Sequence, residues 1–219
     1  MSRRHVKPSG GDPYVDWLKS LGCIVYLPLR EDLVERISGI SCVPTGDGSY
    51  YFQDGYCFIT TPSYKIATVM NLTLPDLKNN VRQDYTLLGE AAAVQLSVAE
   101  NTCRPTLFSN QAIISEYSPQ YLGNFMWSSI PKDYALYKAA RVYVYSTHTT
   151  THYSNGAYYS SNTNFNIDIT SMSSPYRDGF TIGCAGHDNY RSCTFKMRDF
   201  MMFDSALSLQ TIKQIQGIS

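Results

Sequence analysis

The sequence predicts an all-β protein, a two-sheet antiparallel jelly-roll sandwich with a short helix near each end. Three observations carry this. Short apolar runs are punctuated by Asp47-Gly48, Asp54-Gly55, Asn155-Gly156 and Asp178-Gly179, pairs that accept the positive φ of tight hairpins. The composition favours strands: 18 Tyr residues accompany abundant Ser and Thr, while Glu is confined to positions 31, 35, 90, 100 and 116. The closing run from Phe195 to Ile215 passes from an extended segment to a capped helix.

The elements follow in order. Residues 1–11 form a polar, basic arm with Arg3, Arg4, His5 and Lys7, ending in Gly10-Gly11; it is expected to act as an assembly element on a neighbouring subunit. Residues 12–219 are expected to make one jelly-roll domain, and the chain is long enough for a full core. Asp12 reads as an N-cap and Pro13 as the first helical residue, with Tyr14, Trp17, Leu18 and Leu21 on one side and Gly22 as the stop. Strands are expected near 23–29, 49–53, 56–61, 84–99, 105–109, 111–116, 123–128, 141–151, 164–168, 179–185 and 193–203. In the last of these, Phe195, Met197, Asp199, Met201 and Phe203 alternate against a second set, also largely apolar, so both faces should be covered. Ser208 is an N-cap for a helix over 209–216, with Leu209, Ile212 and Ile215 on one face and Gly217 closing it.

That ending, with Ala206, Leu207 and Ser208 before the helix, resembles the last strand and terminal helix of laminin-G-like jelly rolls in the concanavalin A-like lectin and glucanase superfamily. Phe180–Gly183 resembles the strand before the final hairpin, and Tyr153, Asn155 and Gly156 the turn of the middle hairpin. Val25–Leu29 with Asp32, Leu33, Ser38 and Gly39 resembles the opening strand and loop, and Phe52, Asp54, Gly55 and Phe58 the next hairpin. The resemblance implies a concanavalin A-like sandwich whose first strand pairs with its last. The opening Asp12-Pro13-Tyr14 and the strand after it also resemble laminin-G-like modules of phage structural proteins.

With 18 basic and 18 acidic residues the formal net charge is zero, which disfavours bulk electrostatic binding to nucleic acid or an anionic membrane. The basic start lacks a following apolar run, so synthesis without an export signal is expected, with incorporation into a phage virion as a destination. None of the six cysteines forms a Cys-x-x-Cys pair, and free thiols are the default; Cys184 and Cys193 flank an expected hairpin loop where they could face each other.

Catalytic signatures are absent. Glucanases of the superfamily use alternate carboxylates on one strand. The only close cluster here, Glu31-Asp32-Leu33-Val34-Glu35, has the wrong parity and reads as a solvated acidic turn. His148 and His152, placed on one strand, would stand about 13 Å apart, too far to share a metal whose ligands lie about 2 Å away. Gly186-His187-Asp188-Asn189 has atoms for calcium but no second carboxylate, so no metal and no cofactor are expected.

Binding remains. Tyr153, Asn155, Tyr158 and Tyr159 in the polar 146–166 hairpin form one candidate surface. Tyr121 and Trp127, near Tyr117 and Asn124, form another. Either suits a glycan or a protein subunit, since aromatic anchors serve both. The expectation is therefore a non-catalytic binding or structural module of a larger assembly, such as a phage virion surface protein. A carbohydrate-active enzyme with displaced acids, or a bacterial surface adhesin, is the alternative.

Overall fold

The structure is a computed structural model; it describes residues 11–42, 49–61, 68–73, 84–95, 105–109, 135–163, 179–184 and 193–219. The basic arm with Arg3, Arg4, His5 and Lys7, the aromatic set with Tyr121 and Trp127, the 186–189 loop, and the strands expected at 111–116, 123–128 and 164–168 lie outside these residues.

Among the described residues eleven strands form two antiparallel sheets: β1 (Cys23–Leu27), β2 (Ser49–Gln53), β3 (Tyr56–Thr61), β4 (Thr68–Thr73), β5 (Tyr85–Gln95), β6 (Pro105–Ser109), β7 (Tyr137–Val144), β8 (Thr149–Ser154), β9 (Ala157–Asn162), β10 (Gly179–Cys184) and β11 (Cys193–Phe203). The larger sheet runs β2-β3-β11-β5-β7-β8-β9, with β1 also paired to β11; the smaller runs β4-β10-β6. The smaller sheet lies against the larger through β4 and β10 on β3, and β6 on β5. This is the all-β sandwich with short terminal helices that the sequence predicts.

First and last strands do pair, with Tyr26 opposite Met201 and Leu27 opposite Phe200. Both helices start and stop where the caps place them. In α1 (Pro13–Ser20) the Asp12 carboxylate accepts from the Tyr14 N–H at 2.9 Å. In α2 (Leu209–Gln216) Ser208 Oγ accepts from the Thr211 N–H at 3.1 Å, and Gly217 at φ 60° closes the helix. Gly22, at φ 83°, permits a close approach: a Cβ there would run into the Asp204 carboxylate, while the Asp204 N–H donates to the Gly22 carbonyl at 3.1 Å.

The larger sheet buries residues on both faces. The inner face, toward the smaller sheet, buries Ile59, Tyr85, Leu87, Ala91, Tyr143, Phe195, Met197, Phe200 and Met202. On the outer face α1 and α2 cover one end, where Val15, Leu18, Ile212 and Ile215 pack with Tyr26, Leu88, Ala140, Val142, Met201 and Phe203. The strict alternation expected for the last strand does not hold. The pairing of β11 with β5 shifts between Arg198 and Met201, which face Glu90 and Leu88, so Asp199 and Phe200 oppose the single residue Gly89. This bulge reverses the parity: Phe195 and Met197 point inward before it, Phe200 and Met202 after it.

Four other expectations give way. The run expected to continue through 146–151 instead turns in one 3₁₀ turn, Tyr145–Thr147, with His148 at φ 49°, because Val144 pairs back onto Thr149. His148 and His152 therefore do not share a strand. β10 and β11 are not a hairpin but belong to different sheets, so the backbones carrying Cys184 and Cys193 are not cross-strand neighbours. The 146–166 segment, described through residue 163, is only partly surface: β8 has neighbours on both sides, so Thr150 and His152 are buried, and among the described strands none lies beyond β9. The acidic turn is not simply solvated. Glu35 is 1% exposed and accepts from Tyr26 N (2.7 Å), Ile37 N (2.6 Å), Ser38 N (2.5 Å) and Ser38 Oγ (2.6 Å).

Candidate functional site

Beyond the helices, the outer face of the larger sheet opens into a cleft of about 250 Å³. Its floor is Leu88, Gly89, Met201 and Ile215, and its rim carries Tyr14, Arg30, Glu90, Lys138, Arg198, Asp199 and Gln216. Charged side chains at the edge of an apolar floor are the arrangement that orients a polar ligand.

Two strained residues build it. Asp199 has φ 53° and Leu29 φ 55°, a region that non-glycine residues rarely enter. They are joined, since the Asp199 N–H donates to the Pro28 carbonyl at 3.0 Å. The bulge turns Asp199 out of the β11 ladder, and Leu29, fully buried, anchors the chain from which Arg30 projects. As a result Arg30 Nη2 donates to Asp199 Oδ2 at 2.6 Å, and Tyr26 Oη to Asp199 Oδ1 at 3.2 Å. Backbone strain concentrated at one concave spot is a mark of functional sites.

A second ion pair lies beside the first. Arg198 Nη2 is 2.6 Å from Glu90 Oε1, which also accepts from Tyr56 Oη at 3.0 Å. The Tyr56 ring receives Arg198 Cζ at 4.5 Å and Lys196 Nζ at 4.7 Å from its centroid. Lys138 Nζ donates to the Gln216 carbonyl at 2.5 Å, neutralising the C-terminal end of α2 at the rim. Arg198 Nε and Gln216 Oε1, both buried, lack hydrogen-bond partners.

The electrostatics follow from burial. Desolvation pushes the Asp199 carboxyl up against the opposing pull of Arg30. It raises the Tyr56 hydroxyl too, aided by its bond to Glu90, and pushes Tyr14 up to about 12, with Asp199 adding to the shift. The tyrosines therefore act here as neutral hydrogen-bonding groups.

The residues singled out from sequence fall elsewhere. Tyr158 and Tyr159 stand on β9, 63% and 56% exposed. Tyr153, on β8, is half-buried against the α1/α2 cluster. Asn155 shapes the hairpin turn at φ 49°, its Oδ1 accepting from the Lys138 N–H at 2.8 Å. These four lie near one another along the hairpin but do not line the cleft. Sequence reading missed Arg30, Glu90, Arg198 and Asp199; for the last three the available signal was Glu90 inside the otherwise uncharged β5 and the charges of Lys196, Arg198 and Asp199 inside β11, while Arg30, outside any strand, had none. His152, on the inner face, is only 6% exposed opposite buried Arg141. Among the described residues no three His, Cys, Asp or Glu side chains gather in metal-binding geometry, and no helix is long and apolar enough to cross a membrane.

No protein-family model matches the chain, and no curated protein matches it in sequence. Solved structures do match in fold. The receptor-binding domain of botulinum neurotoxin C/D mosaic serotype aligns over 90% of this chain and 51% of its own, with TM-score 0.56 and 13% identity. A structure titled for the dependence of botulinum neurotoxin type C cell entry on two ganglioside molecules aligns over 92% and 53%, with TM-score 0.53 and 12% identity. A Trypanosoma rangeli sialidase aligns over 88% and 32%, with TM-score 0.53 and 8% identity. The chain spans about half the length of the toxin domains it matches. At these identities the likeness establishes the β-sandwich fold.

Proposed function

We propose that this protein is a non-catalytic recognition module that binds a saccharide in the outer-face cleft. The observation that carries the reading is the Asp199 bulge, which spends backbone strain to hold a lattice of planar donors and acceptors over an apolar floor. Arg30, Asp199, Arg198, Glu90 and Gln216 offer paired polar atoms suited to neighbouring hydroxyls, and their mutual ion pairs preorganise them. The ganglioside named for one neighbour is in keeping with this reading. An assembly such as a virion is a fitting setting, with residues 1–11 as its attachment arm. A glycan array of the intact chain tests the proposal. Binding to at least one glycan class is expected, weakened more than tenfold by Arg30→Ala; an array with no binding overturns it.

One observation favours a second reading, a carbohydrate-active enzyme: Glu90 and Asp199 share the cleft, and Tyr56 bonds to Glu90. Glycosidases divide two carboxyl groups into an acid and a base or nucleophile. Here each carboxylate is held by an arginine, which suits binding better than proton donation. Turnover of aryl glycosides that disappears in Glu90→Gln decides for the enzyme.

A further inference from the structure

The outer face does not end at the cleft. Strand register lays two rows of side chains across it. In the first, Lys138 on β7 stands opposite Glu90 on β5, Glu90 opposite Arg198 on β11, Arg198 packs on the ring of Tyr56 on β3, and Tyr56 stands opposite Gln53 on β2. In the second, Lys196 on β11 stands opposite Phe58 on β3, and Phe58 opposite Tyr51 on β2. The Tyr51 and Phe58 rings are parallel within 9°, their centroids 4.8 Å apart, and Tyr51 is 47% exposed. Phe58 covers one face of Tyr51; among the described strands none lies beyond β2 to cover the other.

We infer that the ligand is an oligosaccharide lying across β7, β5, β11, β3 and β2, with one sugar in the cleft and another against Tyr51. This rests on the saccharide reading above. The length argues for it: five strands are four spacings of about 4.8 Å, so the track runs about 19 Å, too long for one sugar ring. The chemistry argues for it as well. Sugars present apolar ring faces and polar hydroxyl edges in turn. Here the exposed ring of Tyr51 and the cation-flanked ring of Tyr56 alternate with Gln53, Lys196, Arg198 and Glu90. An extended peptide would need pockets for alternate side chains, whereas these side chains are tied into ion pairs and ring contacts across the face.

The test is calorimetric titration of the full chain with cellotetraose, laminaritetraose, maltotetraose and lacto-N-tetraose, each beside its disaccharide. At least one tetrasaccharide should bind tenfold or more tighter than its disaccharide. Tyr51→Ala should weaken that tetrasaccharide about two- to tenfold, the range of one aromatic contact, leave the disaccharide unchanged, and lower the melting temperature by no more than about 6 °C, the share of the stack on Phe58. Equal affinity for the two lengths, or no effect of Tyr51→Ala, overturns the extended track while the cleft reading stands. No binding to any of the eight sugars overturns the inference, and the glycan array then decides whether the cleft reading stands. A dimer in solution that Tyr51→Ala dissociates assigns this face to a second copy of the chain and overturns the inference.

Discussion

Replacing Glu35 should loosen the turn that ties residues 35–38 to β1. The carboxylate is 1% exposed and takes four hydrogen bonds: Oε1 from the Tyr26 and Ile37 N–H groups, Oε2 from the Ser38 N–H and hydroxyl. In Glu35→Gln one of those oxygens becomes an NH₂ group. Whichever way the amide turns, at least one backbone N–H then meets a donor. Hydrogen bonds to a charged group are worth about 1.5–3 kcal/mol, and a buried orphan donor costs about 1–3 kcal/mol. A loss of about 2–4 kcal/mol is expected for Glu35→Gln, and more than about 4 kcal/mol for Glu35→Ala, which abandons all four donors. For a chain of this size each kcal/mol moves the melting temperature about 2–4 °C, so Glu35→Gln should lower it by about 4–16 °C. Differential scanning calorimetry, checked by urea unfolding, reads this directly. If Glu35→Ala lowers the melting temperature by less than about 2 °C, water replaces the carboxylate and the loop is not organised by it.

Burial and the Arg141 charge depress His152 from 6.5 to about 3. Its contribution to stability should be complete above pH 6.5 and fall away as the pH drops toward 3, and its ring proton shifts should stay flat down to about pH 5; an NMR midpoint near 6.5 would contradict its placement. Cys23, Cys42 and Cys57 are buried, which pushes each thiol from 9.0 up to about 12. All three should resist Ellman's reagent at pH 8 until the protein unfolds, and their share of stability should be full below pH 9 and lost as the pH rises toward 12. The Tyr158→Ala and Tyr159→Ala double variant should stay within about 0.5 kcal/mol per site in urea unfolding, and a loss of several kcal/mol would place these rings in the core. Gly156, at φ 73°, would set a Cβ 2.9 Å from Ile218 Cγ2, so Gly156→Ala should cost about 1–3 kcal/mol; an unchanged melting temperature would show that the hairpin does not press on the end of α2.

Local chemistry was legible in the sequence. The caps at Asp12 and Ser208, the Asn155-Gly156 turn, and the span of β2, β3, β6 and β11 follow from rules that act within a few residues. The site was not legible, because it depends on register. Glu90, Arg198 and Tyr56 meet only once β5, β11 and β3 are aligned, and the bulge that changes that alignment is marked in β11 by no Gly or Pro, only by Gly89 on the partner strand. The tyrosines of the 146–166 segment cluster in sequence, yet strand alternation sends Tyr153 toward the helices and leaves Tyr158 and Tyr159 exposed on β9. Glu35 misled for a related reason: a carboxylate among carboxylates looks solvated until the turn closes its backbone donors around it.

The parity break in β11 makes this strand unusually sensitive to length. Its two halves carry opposite odd–even codes, and one surplus residue reconciles them. Deleting Asp199 or Phe200 would not merely remove a side chain. It would re-phase everything between the deletion and the end of the strand, turning Met201 and Phe203 toward the smaller sheet and Met202 toward the helices, or else drag β1 out of step with its partner. Substitution at the cleft is thus a local event, whereas a one-residue change in count there is global, and a chain of this fold that has lost the surplus residue must have rewritten the whole end of its last strand.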